Sequence, residues 1–334
     1  MNLQRIPLWD YIRAIGIIAI VLGHTDAPFR AMLYLFHVQL FFYLAGMLWV
    51  ERSVEKKSAI KFFSSRLRRL YLPYLIVNFL VYLARLVVSA EVFSPRYLFG
   101  MIIGSNTDPL VGASWFLPVL FVAECALFLW TRVADRVHIS FHLFPIISLL
   151  IGEYAVFTQT ELIGISKDVL LGVGLIWIGM MIARLQRGGR FKKISFTKTR
   201  LSIFIVCAIV YLLFRVHQYS YLPNLALHHP SMIFDSLIGF FCAYACARLL
   251  EHAPQKMQRA MQFIGANTIQ IVFGQFLAFK VVHLILIALT GISASYYYEL
   301  YGKSVIPHFW IVYGVFGVGL PLLLTVLRLK KSAN

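Results

Sequence analysis

The chain has 334 residues, of which 60% are hydrophobic and only 13% are charged, and its mean hydropathy is +0.77. Ordinary globular chains are about 45 to 50% apolar and about 25% charged, so this composition excludes a typical water-soluble protein. The 31 Lys and Arg against 14 Asp and Glu give a formal net charge of +17. In a soluble protein that excess would suggest a nucleic-acid partner, but here the basic residues lie almost entirely in short loops between apolar runs.

Apolar runs of about 17 to 25 residues predict helices that cross a bilayer. Backbone within lipid must satisfy its own hydrogen bonds, which favours helices, and these runs lack the alternating polarity of barrel strands. We therefore expect an all-α polytopic membrane bundle that forms a single domain over residues 1–334. Ten spans are predicted, at residues 8–24, 31–50, 70–89, 114–131, 141–157, 167–185, 201–216, 231–249, 262–289 and 306–327.

The distribution of basic residues predicts the orientation of these spans, because cytoplasmic loops carry an excess of Lys and Arg. With a cytoplasmic N-terminus, 23 of the basic residues lie on the cytoplasmic side and five on the outer side. Both termini are thus expected in the cytoplasm, and the charge is explained by membrane orientation rather than by nucleic acid. The first apolar run contains Asp10 and Arg13 and is followed by no small-residue cleavage site, so we expect a retained helix.

The four cysteines lie inside apolar runs and form no CxxC pair. Neither a disulfide framework nor a zinc site is expected from that pattern. We also expect no permanently bound cofactor.

Three ionisable residues of the first predicted span are candidates for function, because such groups are costly within a bilayer. From Arg13 to His24 the helix turns by about 1100°, so both side chains project from one face, roughly 16 Å apart along the axis. Asp10 lies on the same side. The sequence alone leaves an alternative open, in which Asp10 and Arg13 are an interfacial ion pair and His24 sits among headgroups.

The chain resembles the integral-membrane acyltransferase-3 family at several ordered motifs. Arg13 and His24 match the family's Arg, ten residues, His signature, and residues 36–46, FHVQLFFYLAG, resemble the stretch FHMPLFFxxSG found in the fucose O-acetylase-like branch. Further similarities are RLRRLYLP at 66–73, SWFL at 114–117 and GANT at 265–268. Two residues depart from the family pattern: Ala45 replaces the Ser of the SG pair, and Gln275 stands where a His often follows the GxNS/T element.

The resemblance implies an enzyme of the bacterial inner membrane that moves an acyl group, most simply acetyl from acetyl-CoA, to a hydroxyl of a cell-surface or lipid-linked saccharide. His24 would be the general base, since its unperturbed pKa is about 6.5, or would carry the acyl group covalently. Arg13, held by Asp10, would meet the donor.

The basic residues that lead into the third span suggest a donor-binding surface. Arg66, Arg68 and Arg69 could bind the phosphates of an acyl-CoA or, alternatively, anionic lipid headgroups. Five further residues are expected to line the substrate path: His37, Trp115, Glu124, Asn267 and Gln275.

Two other functions remain open at this point. Ten helices with internal polar groups would also suit a transporter or flippase of a lipid-linked glycan, although the sequence shows no internal repeat. A non-catalytic assembly partner would predict that the polar groups of the inner helices are dispensable.

Overall fold

The computed structural model describes residues 6–51, 54, 58–88, 92–158, 160, 162, 166–188, 197–218 and 232–333. Throughout these ranges the chain is helical, with connecting turns and one isolated bridge between Thr25 and Gly302. The helices are α1 (Pro7–Gly23), α2 (Arg30–Tyr34), α3 (Gln39–Glu51), α4 (Ala59–Arg66), α5 (Leu72–Val88), α6 (Pro95–Ile102), α7 (Phe116–Arg136), α8 (Leu143–Phe157), α9 (Ser166–Arg187), α10 (Lys198–Gln218), α11 (Met232–Leu250), α12 (Gln255–Ala266), α13 (Thr268–Thr290) and α14 (Trp310–Ala333). A π-helical segment, Leu67–Tyr71, joins α4 to α5, and 3-10 turns lie at Pro109–Trp115 and Ala294–Tyr298.

The expected polytopic membrane bundle is confirmed by the length and composition of these helices. Eight helical stretches of the described chain are long and apolar enough to cross a bilayer, and each overlaps one of the ten predicted spans: Arg30–Glu51, Ala59–Val88, Pro109–Arg136, Lys167–Arg187, Lys198–Val216, Ile233–Leu250, Thr268–Thr290 and Trp310–Leu327. The other two predicted spans correspond to shorter helices, α1 with 17 residues and α8 with 15. The chain is therefore a multi-pass membrane protein.

The predicted span at 262–289 is not one helix. Its first residues belong to α12, which ends at Ala266, and α13 starts at Thr268. Between them, Asn267 has a non-helical backbone, and its side-chain amide donates to the carbonyl oxygen of Phe263 at 2.8 Å. Hydropathy alone could not show this break, because apolar residues continue across it.

Helix α1 lies at the centre of the bundle and packs against α2, α11, α12, α13 and α14. Close approach to α12 depends on Gly265, because a Cβ atom at this position would overlap the carbonyl oxygen of Asp10. Helices α3 and α9 approach each other in the same way at Gly46 and Gly179. Small residues permit such backbone contact between helices in membranes, so the GxN element fixes α12 directly beside the charged end of α1.

The outer helices expose apolar side chains, as lipid-facing helices must. In α5 and α10 only 17% of the residues of the apolar windows are buried, and large residues such as Leu80 and Val210 are 58% and 61% accessible. In water such a surface would promote aggregation, whereas lipid tails are equally apolar.

Candidate functional site

A cavity of about 700 Å³ opens beside the N-terminal half of α1 and is called here the arginine cavity. Its volume falls within the range of about 300 to 1,000 Å³ typical of small-molecule sites. Six of the residues expected to carry function share its lining: Asp10, Arg13, Arg66, Arg68, Arg69 and Glu124. Helix α1, the α4–α5 junction and α7 thus bring together charges that are far apart in the sequence.

Two of the four arginines are paired with buried carboxylates. Arg13 Nη1 lies 2.9 Å from Asp10 Oδ1, and Arg66 Nε lies 2.6 Å from Glu124 Oε2. The Asp10 and Glu124 side chains are only 3% and 4% exposed. Burial of a carboxylate is costly unless a cation compensates it, so these pairs hold the two guanidinium groups in fixed positions on the wall.

Arg68 and Arg69 occupy a different position in the same cavity. Both side chains are exposed, and they belong to the π-helical segment Leu67–Tyr71 that follows Arg66. The wider π turn is a feature often found at functional sites. The arginine cavity therefore has a basic, solvent-accessible rim and a wall where positive charge is largely neutralised.

Most of the remaining lining is apolar and includes Phe41, Ala45, Leu117, Leu120 and Val272, whereas Glu51, Thr268 and Gln270 add polar groups. Phe116 and Leu117 come from the SWFL motif, and Ala45 is the residue that replaces the expected Ser. At this position the wall has a methyl group and no hydroxyl. The cavity thus passes from a charged rim to a hydrocarbon interior.

His24 lies at the opposite end of α1, where its Nδ1 is 3.2 Å from Gln275 Oε1. The amide nitrogen of Gln275 donates to the carbonyl oxygen of Val272 at 3.3 Å, which leaves Oε1 as the atom that faces His24. An amide oxygen can only accept, so this network assigns the proton of the neutral imidazole to Nδ1. The lone pair of Nε2 is then available as a base or nucleophile.

Aromatic rings surround the His24 imidazole. Tyr301 stacks on it with a centroid distance of 5.8 Å and an interplanar angle of 10°, while Phe276 and Tyr34 meet it edge-on at 4.9 and 6.2 Å. Tyr34 also contacts His37 at 4.8 Å, and His37 Nδ1 donates to the carbonyl oxygen of Leu33 at 2.7 Å. His24, Gln275 and His37 form what is called here the histidine cluster.

The arginine cavity and the histidine cluster are separate. The sequence predicted that Arg13 and His24 face one interior passage, but neither His24 nor Gln275 belongs to the cavity lining. Val272 does line it, and Gln275 is three residues further along α13, which corresponds to about 4.5 Å of helix. Packed side chains of the core, including Phe276 at 1% exposure, fill the space at that level.

The loop between α13 and α14 covers the histidine cluster. Residues 299–304, called here the cover, carry Tyr301 and are fixed to the end of α1: Gly302 N donates to the His24 carbonyl oxygen and Asp26 N to that of Gly302, both at 2.9 Å. The Asp26 carboxylate also accepts from the backbone and the hydroxyl of Ser304, at 2.7 and 2.6 Å.

Lys280 anchors the start of the cover. Its Nζ donates to the carbonyl oxygens of Tyr297 and Glu299 at 2.6 and 2.7 Å. In the same loop, burial raises the pKa of Tyr296, whose hydroxyl therefore stays protonated and shares a hydrogen bond with Tyr313 at 3.2 Å.

Two predicted site residues belong to neither group. Trp115 is half-buried at the end of the 3-10 turn and does not line the cavity, and Asn267 ends α12 between two residues, Ala266 and Thr268, that do. Tyr301 was missed by the sequence reading, since an exposed tyrosine in a loop has no periodicity or motif that would place it on His24.

The described residues contain no group of three or more His, Cys, Asp or Glu that could hold a metal ion. The arrangement combines a cavity that has a basic rim and a largely apolar interior with a separate imidazole whose Nε2 can accept a proton. These features belong to a polytopic membrane protein.

Comparison with known families identifies the class. The model of the acyltransferase domain of the acyltransferase-3 family matches residues 6–327, and the chain belongs to this family. The comparison does not resolve the branch. Family membership implies acyltransferase activity and therefore an acyl donor and an acceptor. Searches of curated proteins and of solved structures found no match.

Proposed function

We propose that the protein is an O-acyltransferase that moves an acetyl group, or another short acyl group, from acyl-CoA to a hydroxyl of a cell-surface or lipid-linked saccharide. The observation that carries the proposal is the arginine cavity within an acyltransferase-3 chain. The saccharide acceptor and the assignment to the fucose O-acetylase-like branch rest on motif resemblance. The bacterial inner membrane rests on the same resemblance, and the cytoplasmic termini rest on the distribution of Lys and Arg.

The donor is expected to bind with its phosphates at the rim of the arginine cavity. Arg68 and Arg69 are exposed there and can form charge-assisted hydrogen bonds with phosphate oxygens. Arg13 and Arg66, fixed by their carboxylate partners, would contact the deeper part of the donor. The hydrocarbon wall beyond them suits the pantetheine arm and the acyl group, whose thioester is uncharged.

His24 is the proposed reacting group. As a base, Nε2 takes the proton of the acceptor hydroxyl, the oxygen attacks the thioester carbon, and the carbon–sulfur bond breaks to release CoA, whose thiolate then takes up a proton. As a carrier, Nε2 attacks the thioester carbon first, and the carbon–sulfur bond breaks to release the CoA thiolate. The acceptor oxygen then attacks the acyl carbon, the carbon–nitrogen bond breaks to regenerate His24, and the hydroxyl proton passes to the thiolate. Either route requires the packing between Val272 and His24 to open, because the cavity ends before the histidine.

The proposal is tested with purified protein, labelled acetyl-CoA and a panel of candidate glycans. His24→Ala should abolish transfer while folding, followed by size-exclusion profile and Tm, is retained. The matched control is His252→Ala, which changes an exposed histidine in the turn after α11. Undiminished transfer by His24→Ala would refute the catalytic role. Labelled protein that accumulates without acceptor, and is absent in His24→Ala, would distinguish the carrier route from the base route.

The donor site has its own test. The double variant Arg68→Ala, Arg69→Ala should weaken binding of CoA, measured by calorimetry, and should reduce its dependence on ionic strength, because exposed charges are screened by salt. Lys198 and Arg200 lie at the start of α10, outside the cavity lining, and their double alanine variant is the control. Unchanged CoA affinity in the first variant would assign those arginines to lipid headgroups instead.

A further inference from the structure

The protein around His24 is more tightly packed towards the arginine cavity than towards the loop between α13 and α14. Towards the arginine cavity, the side chains in contact with it or next to it along α1 are fully packed: Phe276 and Ile20 are each 1% exposed. The ring of Tyr301 stacks on the imidazole and also contacts Phe276 at 5.9 Å, but Tyr301 is 50% exposed. His24 is itself only partly buried, and the half-exposed ring of Tyr301 lies over one face of its imidazole.

Open space lies directly beside this ring's segment. A hollow of about 400 Å³ is bordered by Asp26, Ser304, His308 and Trp310, among others. Asp26 and Ser304 are also the pair that fixes the end of the cover. A polar, hydroxyl-bearing molecule that reached this hollow would be next to the cover, at the end of α1 remote from Arg13.

We propose that Tyr301 is the positioning residue of His24 and that the acceptor reaches the histidine from the loop end, past the cover. The proposal rests on the function proposed above, in which His24 is the reacting group. Stacking fixes the plane of the imidazole, and the Gln275 contact fixes its rotation within that plane. Together they direct Nε2, while the cover limits entry of water and acceptor.

The attachment of the cover supports this role. Its first residue is held by Lys280 through the Glu299 carbonyl oxygen, its middle is paired with the backbone at His24 and Asp26, and its last residue is held by the Asp26 carboxylate. The backbone and carboxylate contacts join the cover to His24 and Asp26, directly after α1, whereas Lys280 belongs to α13. A segment that served only to connect two helices would not need attachment at the residue proposed to react.

The test measures access to His24 directly, with the full-length protein in detergent. Diethyl pyrocarbonate modifies imidazole, and mass spectrometry of the His24 peptide gives its modification rate, with exposed His308 as the reference for reagent activity. In Tyr301→Ala we expect the rate at His24 to rise about 2- to 13-fold, the factor that corresponds to loss of one aromatic pair. Tyr301→Phe keeps the ring and should retain the wild-type rate.

Tyr298→Ala is the matched control, since Tyr298 is 82% exposed in the same loop and its ring contact is with Tyr297. Positioning is measured separately: Tyr301→Ala should lower kcat for transfer without changing KM for acyl-CoA, and Tyr301→Phe should restore it. An unchanged His24 modification rate in Tyr301→Ala would overturn the proposal that the cover restricts access to His24. An unchanged kcat would overturn the positioning role of Tyr301. If the His24 modification rate rises in Tyr301→Ala while His24→Ala still transfers acyl groups, the proposed function is refuted. The proposal that the cover restricts access to His24 then still holds.

Discussion

The hydrogen bond between His24 and Gln275 provides a sharp test of how the histidine works. Gln275→Met keeps a side chain of similar length and removes the oxygen that accepts from Nδ1. Gln275 is fully buried, so no bulk water replaces the lost acceptor. A buried donor left without a partner costs about 1 to 3 kcal/mol, and His24 can avoid that cost by rotating or by moving its proton to Nε2.

After rotation or proton transfer, the lone pair of Nε2 is no longer directed at the acceptor hydroxyl or the thioester. If the full cost appears in the transition state, kcat falls by roughly 5- to 150-fold. KM for acyl-CoA should stay unchanged, because the arginine cavity does not include Gln275. The assay is transfer of label from acetyl-CoA to the glycan panel, or release of free CoA thiol where hydrolysis replaces transfer.

Gln275→Glu is the companion variant, because its carboxylate oxygen can accept the same hydrogen bond. We expect it to recover most of the kcat lost in Gln275→Met, at some cost in Tm from the buried carboxylate. Wild-type kcat in Gln275→Met, with folding intact, would refute the assignment of the proton to Nδ1. Equal loss in both variants would show that the site depends on the neutral amide and its contact with Val272.

Two predictions concern stability and are measured by thermal unfolding in detergent. Glu124→Gln removes the buried charge that pairs with Arg66, so we expect a Tm loss that reflects about 3 to 5 kcal/mol. Glu51→Gln changes an exposed pair 3.5 Å apart and should cost at most about 1 kcal/mol. Equal losses of Tm in the two variants would contradict burial as the cause. Gly265→Ala forces a Cβ atom against backbone and should cost about 1 to 3 kcal/mol, while Gly319→Ala, with nothing within 4 Å, should leave Tm unchanged or raise it. A tolerated Gly265→Ala would show that α12 can move away from α1.

The sequence by itself determined the class of fold and supplied most of the candidate residues that line the arginine cavity and the histidine cluster. Hydropathy is a local property, so the apolar runs identified the membrane helices without any knowledge of their contacts. The helical repeat predicted that Arg13 and His24 project from one side of α1; in the structure Arg13 lines the arginine cavity and His24 contacts Gln275. The arginines before α5 were proposed as a donor-binding surface because three of them cluster within four residues of the sequence.

Tertiary structure decided which of these residues meet. Three contacts of the site join segments more than 50 residues apart: Arg66 with Glu124, Gln275 with His24, and Tyr301 with His24. No local sequence pattern encodes contacts over such separations. The break at Asn267 was likewise hidden, since an asparagine within an apolar run changes mean hydropathy little. Packing between helices also separated the cavity from the histidine, because whether facing side chains leave space depends on the sizes of neighbours from several helices at once.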